Sequence, residues 1–413
     1  MGTPADTGTG LARDRDFLLF AGGQTASALG DALNKTALPL LVLALTGSGL
    51  HMGIISMLSA LPMLLFGVPA GAWADRFDRR RMMLWSDAGR TVLVALVPLA
   101  ALLHLPVLPV LYAVTVPVGV LYAVFEAACL SCVPSLVGHE RLGQANSYLS
   151  VGNALGYLVG PSIAGVLVAA VGGAITLGVD AATFAVSALT LLLVRRPLQA
   201  AGPRASGTMR AQVREGLEFI GRQRLLRATL LYWAAVTFFT APVVIVATYY
   251  VREDLGWSSQ TLGLVITVYA LGAIAGAVLA PRLRQAPGRV LLVCTVVDGV
   301  ALLVLSFTSW LPLTIAVALV AGAGEAFAGV LYTTLRARLT PDELLGRVAT
   351  TAQVVTFGLR PLSVFAAGLA LDLTSGAVTL AAIGVGCLVV SAVAAAGGTL
   401  LSPFSPETAR QPR

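Results

Sequence analysis

Charge is what this chain has least of. Only 11% of its residues are Asp, Glu, Lys or Arg, whereas a soluble domain carries about a quarter. With 57% hydrophobic residues and a mean hydropathy of +0.86, a soluble fold of this size would have nothing to coat its surface. The bilayer is therefore the solvent for most of the chain. Lysine is nearly absent as well: Lys35 is the one lysine beside 26 arginines. The histidines His51, His104 and His139 are scattered in or near loops without metal-ligand spacing, which argues against a metal centre or an enzyme. No Walker loop is present, so ATP-driven transport by this chain alone is not expected, and no cofactor is implied. A signal peptide is not expected either, because Asp14 and Asp16 offset Arg13 and Arg15, no small-residue cleavage site follows, and the first apolar run is too long. The four cysteines, Cys129, Cys132, Cys294 and Cys387, all fall in apolar runs and imply no disulfide framework. Cys129 and Cys132 have redox or metal spacing, but no second pair or histidine accompanies them, so they read as small buried hydrophobes.

What the chain does have is long apolar runs. About 20 such residues cross the hydrocarbon core as a helix, and on that rule helices are expected at about 17–46, 53–74, 83–103, 107–135, 142–170, 173–194, 228–250, 259–281, 289–307, 311–335, 346–371 and 376–400. These runs are continuous and do not alternate over about ten residues, which excludes a transmembrane barrel. The expected fold is all-α and integral to the membrane, with twelve transmembrane helices. The longest polar interval, 195–227, splits them six and six. It separates an N-terminal bundle over 17–194, preceded by a tail over 1–16, from a C-terminal bundle over 228–400, followed by a tail over 401–413. Within the interval Val213, Leu217 and Ile220 recur at helical spacing, the pattern of an interfacial amphipathic helix.

Arginine placement sets the orientation. Arg13, Arg15, the Arg76–Arg81 cluster, Arg141, the eight between Arg195 and Arg227, Arg282, Arg284, Arg289, Arg336, Arg338, Arg347, Arg410 and Arg413 all fall on one side of the twelve-span layout, and Arg252 falls alone on the other. Both termini are then expected to be cytoplasmic. The formal charge of +7 is on this reading a topology signal, and nucleic acid is not an expected partner.

The densest motif lies between the second and third spans: Gly71-x-x-x-Asp75-Arg76-x-Asp78-Arg79-Arg80, with Asp87 and Arg90 following. The arginines can hold anionic lipid, while an acid at a helix end can accept from a neighbouring helix N-terminus. In the fifth span Gly152, Gly156, Gly160, Pro161, Ala164 and Gly165 run small residues down one face, which suits close helix packing and a kink. Ala70-Gly71-Ala72 and Ala275-Gly276-Ala277 end the second and eighth spans alike, a sign of a repeated half.

Together these motifs resemble the major facilitator superfamily. The loop is similar to that superfamily's Gly-x-x-x-Asp-Arg-x-Gly-Arg-Arg signature, with Asp78 in place of a glycine. The form Asp-Arg-x-Asp-Arg-Arg resembles the macrolide-efflux and enterobactin-export subgroup, as do Leu45-Thr-Gly-Ser, Gly152 to Gly165 and Pro341 to Arg347. The resemblance implies two six-helix pseudo-repeats and alternating access. It also implies a cytoplasmic gate built on Gly71, Asp75, Arg76, Asp78, Arg79, Arg80, Asp87 and Arg90. The fifth-helix motif resembles the antiporter motif of exporters. One departure stands: residues 107 to 135 contain no arginine, whereas drug/proton antiporters of the superfamily carry one in the fourth helix.

Charges inside spans are costly and either functional or paired. Gln24, Asp31 and Lys35 share one face of the first helix; Asp31 and Lys35 either neutralise each other at i,i+4 or hold a proton and its cationic partner. By the resemblance, Glu126 and Glu325 stand at corresponding places in helices that line the central cavity. A carboxyl group in a low-dielectric cavity can exchange a proton near neutral pH, so these are the leading proton sites. Arg360 needs a carboxylate, with Asp298 or Glu325 as candidates, and Asp180 caps or packs. Asp87 and Arg90 read as a pair near the cytoplasmic rim.

The function expected is proton-coupled export of an amphipathic small molecule, an antibiotic or secondary metabolite, across a bacterial cytoplasmic membrane by a monomer. A siderophore exporter of the same fold, or a transporter-like sensor without flux, is the alternative. Low aromatic content and several carboxylates point towards cationic or zwitterionic cargo.

Overall fold

The computed structural model describes residues 11–199, 209–282 and 287–401. Most of the N-terminal tail, the linker stretch with Arg204, the loop with Arg284, and the C-terminal tail with Arg410 and Arg413 lie outside these described residues. Every regular element among the described residues is helical. Twelve helices are long and apolar enough to cross a membrane, and they follow the expected runs closely.

The first six are α1 (Arg15–Thr46), α2 (Gly49–Arg76), α3 (Arg79–Leu102), α4 (Val107–Val137), α5 (Leu142–Val171) and α6 (Gly173–Leu193). A linker helix, α7 (Met209–Arg222), precedes α8 (Arg224–Asp254), α9 (Ser259–Leu279), α10 (Pro287–Ser306), α11 (Leu311–Arg338), α12 (Leu345–Leu373) and α13 (Gly376–Ala396). Two interruptions have identifiable causes. α8 breaks at Ala241 and Pro242, and α12 breaks at Leu359 just before Arg360 and Pro361, because proline cannot donate to the preceding turn and its ring crowds the carbonyl four residues back.

The chain forms two compact units, Met1–Leu41 with Leu61–Arg204, and Val42–Ala60 with Ala205–Arg413. In the first, α3 packs broadly against α4 and α6. Phe17, Phe20, Met83, Phe125, Cys132 and Leu191 fill its core towards the α2–α3 loop. In the second, α9 packs on α11 and α10 on both α11 and α13. The linker helix joins this second unit: Ile220 enters the core beside Leu226, Tyr332 and Val348. Gly216 lies so close to Thr351 and the Arg347 carbonyl that a side chain there would collide, and Arg347 pairs with Glu215. Of the amphipathic face expected for this helix, Leu217 stays exposed. The side chain of Val213 lies outside the described residues.

Candidate functional site

The α2–α3 loop is organised by hydrogen bonds that terminate helices. Asp78 is the N-cap of α3 and its carboxylate accepts from the Arg81 amide at 2.9 Å, which satisfies one of the orphan donors of that first turn. Arg79 donates to the Ser131 carbonyl at 2.6 Å and to the Ala74 carbonyl at 3.1 Å. Arg80 donates to the Leu192 carbonyl at 2.7 Å. The Ala74, Ser131 and Leu192 carbonyls lie in the last turns of α2, α4 and α6, where guanidinium groups complement the negative end of the helix dipole. The loop thus ties the start of α3 to the ends of α4 and α6. Arg76 and Arg81 are exposed. The side chain of Asp75 lies outside what is described, and Gly71 faces open space.

The small-residue stripe of α5 seats that helix on α1. A Cβ on Gly152 would strike Thr25, one on Gly156 would lie 2.9 Å from the Ala28 backbone, and one on Gly160 would lie 2.6 Å from the Ala32 Cβ. The pairs advance together, so α1 and α5 run parallel. On its other side α1 meets α6 through Gly23 against Thr190 and Gly30 against Thr183 and Asp180. Glycine at these points lets backbones approach to a separation that any side chain would prevent.

This packing gathers polar groups within the first unit. Asp87 and Arg90, read from the sequence as a rim pair, are paired but enclosed in the bundle, at 0% and 1% exposure. Their depth has a clear cause. The guanidinium lies 4.1 Å from the ring centre of Phe184, 4.6 Å from that of Phe125 and 5.9 Å from that of Tyr122, so α4 and α6 supply an aromatic cage that a charged head can occupy. Asp31, Glu126 and Asp180 also lie within electrostatic reach of Arg90. Arg90 of α3 thus lies against the face of α4.

Asp180 is fully buried and accepts from the Asn34 amide at 2.6 Å. Gln24 accepts from the Cys129 thiol at 3.5 Å. Among the described residues, Asp87 Oδ2, Arg90 Nε, Asp180 Oδ1 and Gln24 Nε2 have no protein partner. Asp31 and Lys35 form no direct ion pair. Lys35 Nζ instead donates to the Tyr157 hydroxyl at 2.6 Å and lies 4.5 Å from that ring's centre, while Asp31 is half-buried within electrostatic reach of Arg90 and Lys35 and has no ion pair among the described residues.

In the second unit Glu325 and Arg360 are both exposed, within electrostatic reach but not in contact. Asp298 is buried against Gly324, where a Cβ would collide with its carboxylate, and its Oδ1 has no partner among the described residues. Neither carboxylate forms an ion pair with Arg360. No cluster of His, Cys, Asp and Glu able to hold a metal occurs among the described residues.

Sequence reasoning did not single out Asn34, Tyr157 or the aromatic cage. Asn34 carried a weak signal, since it sits three residues beyond Asp31 on the same helix. Tyr157 carried none, because its role depends on contact between α1 and α5.

Residues 14–408 match the family described as transmembrane secretion effector. The multidrug efflux pump Tap of Mycolicibacterium fortuitum is 30% identical over 390 residues, 92% of this chain and 94% of the relative. The enterobactin exporter EntS of Salmonella typhi is 29% identical over 327 residues, 78% of this chain and 77% of the relative. Among solved structures, a bacterial homologue of the human lysosomal transporter Spinster matches with a TM-score of 0.76 at 16% identity, over 97% of this chain and 100% of that one. A bacterial homologue of the iron transporter ferroportin matches with a TM-score of 0.73 at 18% identity, over 98% of this chain and 100% of that one. At such identities these structures speak to the fold alone.

Proposed function

Given that this chain belongs to the transmembrane secretion effector family of the major facilitator superfamily, whose members are membrane transporters and not enzymes, we propose that it exports an amphipathic antibiotic or secondary metabolite by alternating access in exchange for protons. That it is a multi-pass efflux transporter follows from its twelve apolar helices and its relatives. Proton exchange is carried by one observation: Asp31, Asp87, Glu126 and Asp180 gather around Arg90 in the first unit. Four acids against Arg90 and Lys35 leave a surplus of carboxylates inside a membrane bundle, and such a group of coupled acids meets its charge balance by holding exchangeable protons. The half-buried Asp31 and Glu126 are the sites that trade protons, while Asp87 and Arg90 hold the group in place.

Arginine placement supports a bacterial cytoplasmic membrane location with both termini cytoplasmic. On that orientation the α2–α3 loop lies at the cytoplasmic mouth. Asp75 and Arg76 then belong to the gate, while Asp78, Arg79 and Arg80 brace it through helix ends. Cargo, protons and lipid are the partners, and the working unit is a monomer.

The test is collapse of a pH gradient in inverted membrane vesicles on adding antibiotics and siderophores one at a time. Substrate-induced proton movement, lost in Asp31→Asn with Glu126→Gln, is the expected result. Movement that survives the double change would remove these acids from the coupling path. The likeness to an enterobactin exporter favours a second reading, siderophore export, which the same panel separates. Silence across the panel with folded protein would point to a sensor.

A further inference from the structure

Lys35 neutralises charge in the first unit but trades no proton itself. Lys35 lies two-thirds of the way along α1, a membrane-crossing helix, yet its side chain is exposed and has no carboxylate within ion-pair distance among the described residues. An ammonium group cannot face lipid chains there without a large cost. The exposed head therefore opens on a side that water and solutes reach. Its one hydrogen bond goes to the Tyr157 hydroxyl at 2.6 Å. An ammonium has three donors and no acceptor, and a tyrosine hydroxyl that accepts one bond still has its own O–H to give. Two N–H groups and one O–H are thus left with no acceptor among the described residues. The ring beneath, 4.5 Å from Nζ, steadies the cation without neutralising it. The stripe of Gly152, Gly156 and Gly160 fixes this arrangement, because it sets the register of α5 on α1.

We propose that Lys35 and Tyr157 form an oxyanion subsite that binds a carboxylate or phenolate on the exported molecule. This rests on the export reading and narrows it: the cargo carries an acidic group. A purely cationic cargo is excluded, whereas a zwitterion, with its cation towards Asp31, is admitted. The geometry that supports this is a surplus of donors at Lys35 and Tyr157, with Asp31 one turn back on α1 and the remaining acids, Asp87, Glu126 and Asp180, around Arg90.

Because Lys35 is the only lysine, acylation of amines reports on this site directly. Full-length protein in lipid nanodiscs, carrying a lysine in a C-terminal tag as internal control, is treated with a water-soluble acetylating ester. Modification at both lysines is followed by peptide mass spectrometry. Three probes that share the naphthalene ring are compared: 2-naphthoate, its neutral planar isostere 2-naphthamide, and cationic 2-naphthylmethyl-trimethylammonium. Naphthoate is expected to slow Lys35 acetylation at least fivefold relative to the tag, the other two by less than twofold. Equilibrium dialysis of naphthoate should show Lys35→Arg binding within threefold of the parent, Lys35→Met weaker by tenfold or more, and Tyr157→Phe weaker by several-fold. Equal protection by all three probes, no protection by naphthoate, or unchanged binding in Lys35→Met would overturn the subsite. These are binding readouts on resting protein, so failure of the export reading shows separately, as silence in the vesicle assay with naphthoate protection intact.

Discussion

At the scale of single residues, the Arg90 cage is the most demanding feature of the molecule. A guanidinium at 1% exposure, paired with Asp87 at 0%, has been stripped of water, and its replacement solvation comes from one carboxylate and three rings. Removing one member of such a pair leaves an uncompensated buried charge, at a cost of about 3–5 kcal/mol, whereas replacing both by apolar groups is close to neutral. Arg90→Met is therefore expected to lower the thermal unfolding midpoint of detergent-solubilised protein sharply. Arg90→Met combined with Asp87→Leu should recover most of that loss. Equal midpoints for the single and double variants would show that the pair is not what holds this part of the bundle. The sequence displayed both residues at i,i+3 but not their depth. The charge run of Arg79, Arg80 and Arg81 stands just before them, and a reading along the chain placed all of them together at the water interface. Depth was decided by Phe125 and Phe184, which lie far away in sequence and meet only when α3 packs against α4 and α6. Lys35 is the same case: its neighbour at i−4 is visible in the sequence, its partner Tyr157 on α5 is not.

At the scale of elements, most of the fold was legible because each span had to satisfy its backbone within itself, which forces a long apolar run that any reader of the sequence can see. Helix ends were less legible. α3 begins at Arg79, four residues before the apolar run suggested, because arginine is a good helix former and Asp78 caps the turn. Asp78→Ala is expected to cost about 1 kcal/mol, read as a lowered unfolding midpoint, with Asp78→Asn close to the parent. No change in Asp78→Ala would assign the acid a role other than capping. The glycines divide by contact and not by motif. Gly156→Leu must push α5 off the Ala28 backbone, so loss of folded yield and of transport is expected. A Cβ on Gly71 meets nothing within 4 Å, so Gly71→Ala should leave the unfolding midpoint unchanged, and any transport defect in that variant would belong to gating. If Gly156→Leu instead folds and transports normally, the close seat of α5 on α1 is not needed.

At the scale of the whole molecule, two helices are divided between the units: the end of α1 from Val42 belongs to the second, and α2 is split within its length. The first part of α2, to Ala60, packs with the second unit and the remainder with the first, and Pro62 stands next to the changeover. The sequence marked the division at the polar interval 195–227 but gave no sign of this crossing, since nothing in an apolar run tells which neighbours will take it. The attachment is concrete. Asp372, near the end of α12, accepts from the Ser48 hydroxyl at 2.6 Å and from the Gly49 amide at 2.5 Å, capping α2 from another helix. Gly53 and Gly368 approach so closely that a Cβ on either would lie within 3.0 Å of the other's backbone. If alternating access moves two repeats as bodies, α2 must either release Asp372 or bend at Pro62. A cap of this kind contributes about 1 kcal/mol, roughly a fivefold bias between two states. Asp372→Ala is therefore expected to raise the time-averaged exposure of the contact several-fold without unfolding the chain. Met52, at 1% exposure, lies in the same first turns of α2 and offers the readout. A cysteine at that position should react several times faster with a water-soluble maleimide in the Asp372→Ala background, and saturating cargo should change the rate in both backgrounds. An unaltered rate in Asp372→Ala would mean that the glycine contact alone holds α2, and that release, if it occurs, is controlled through Pro62.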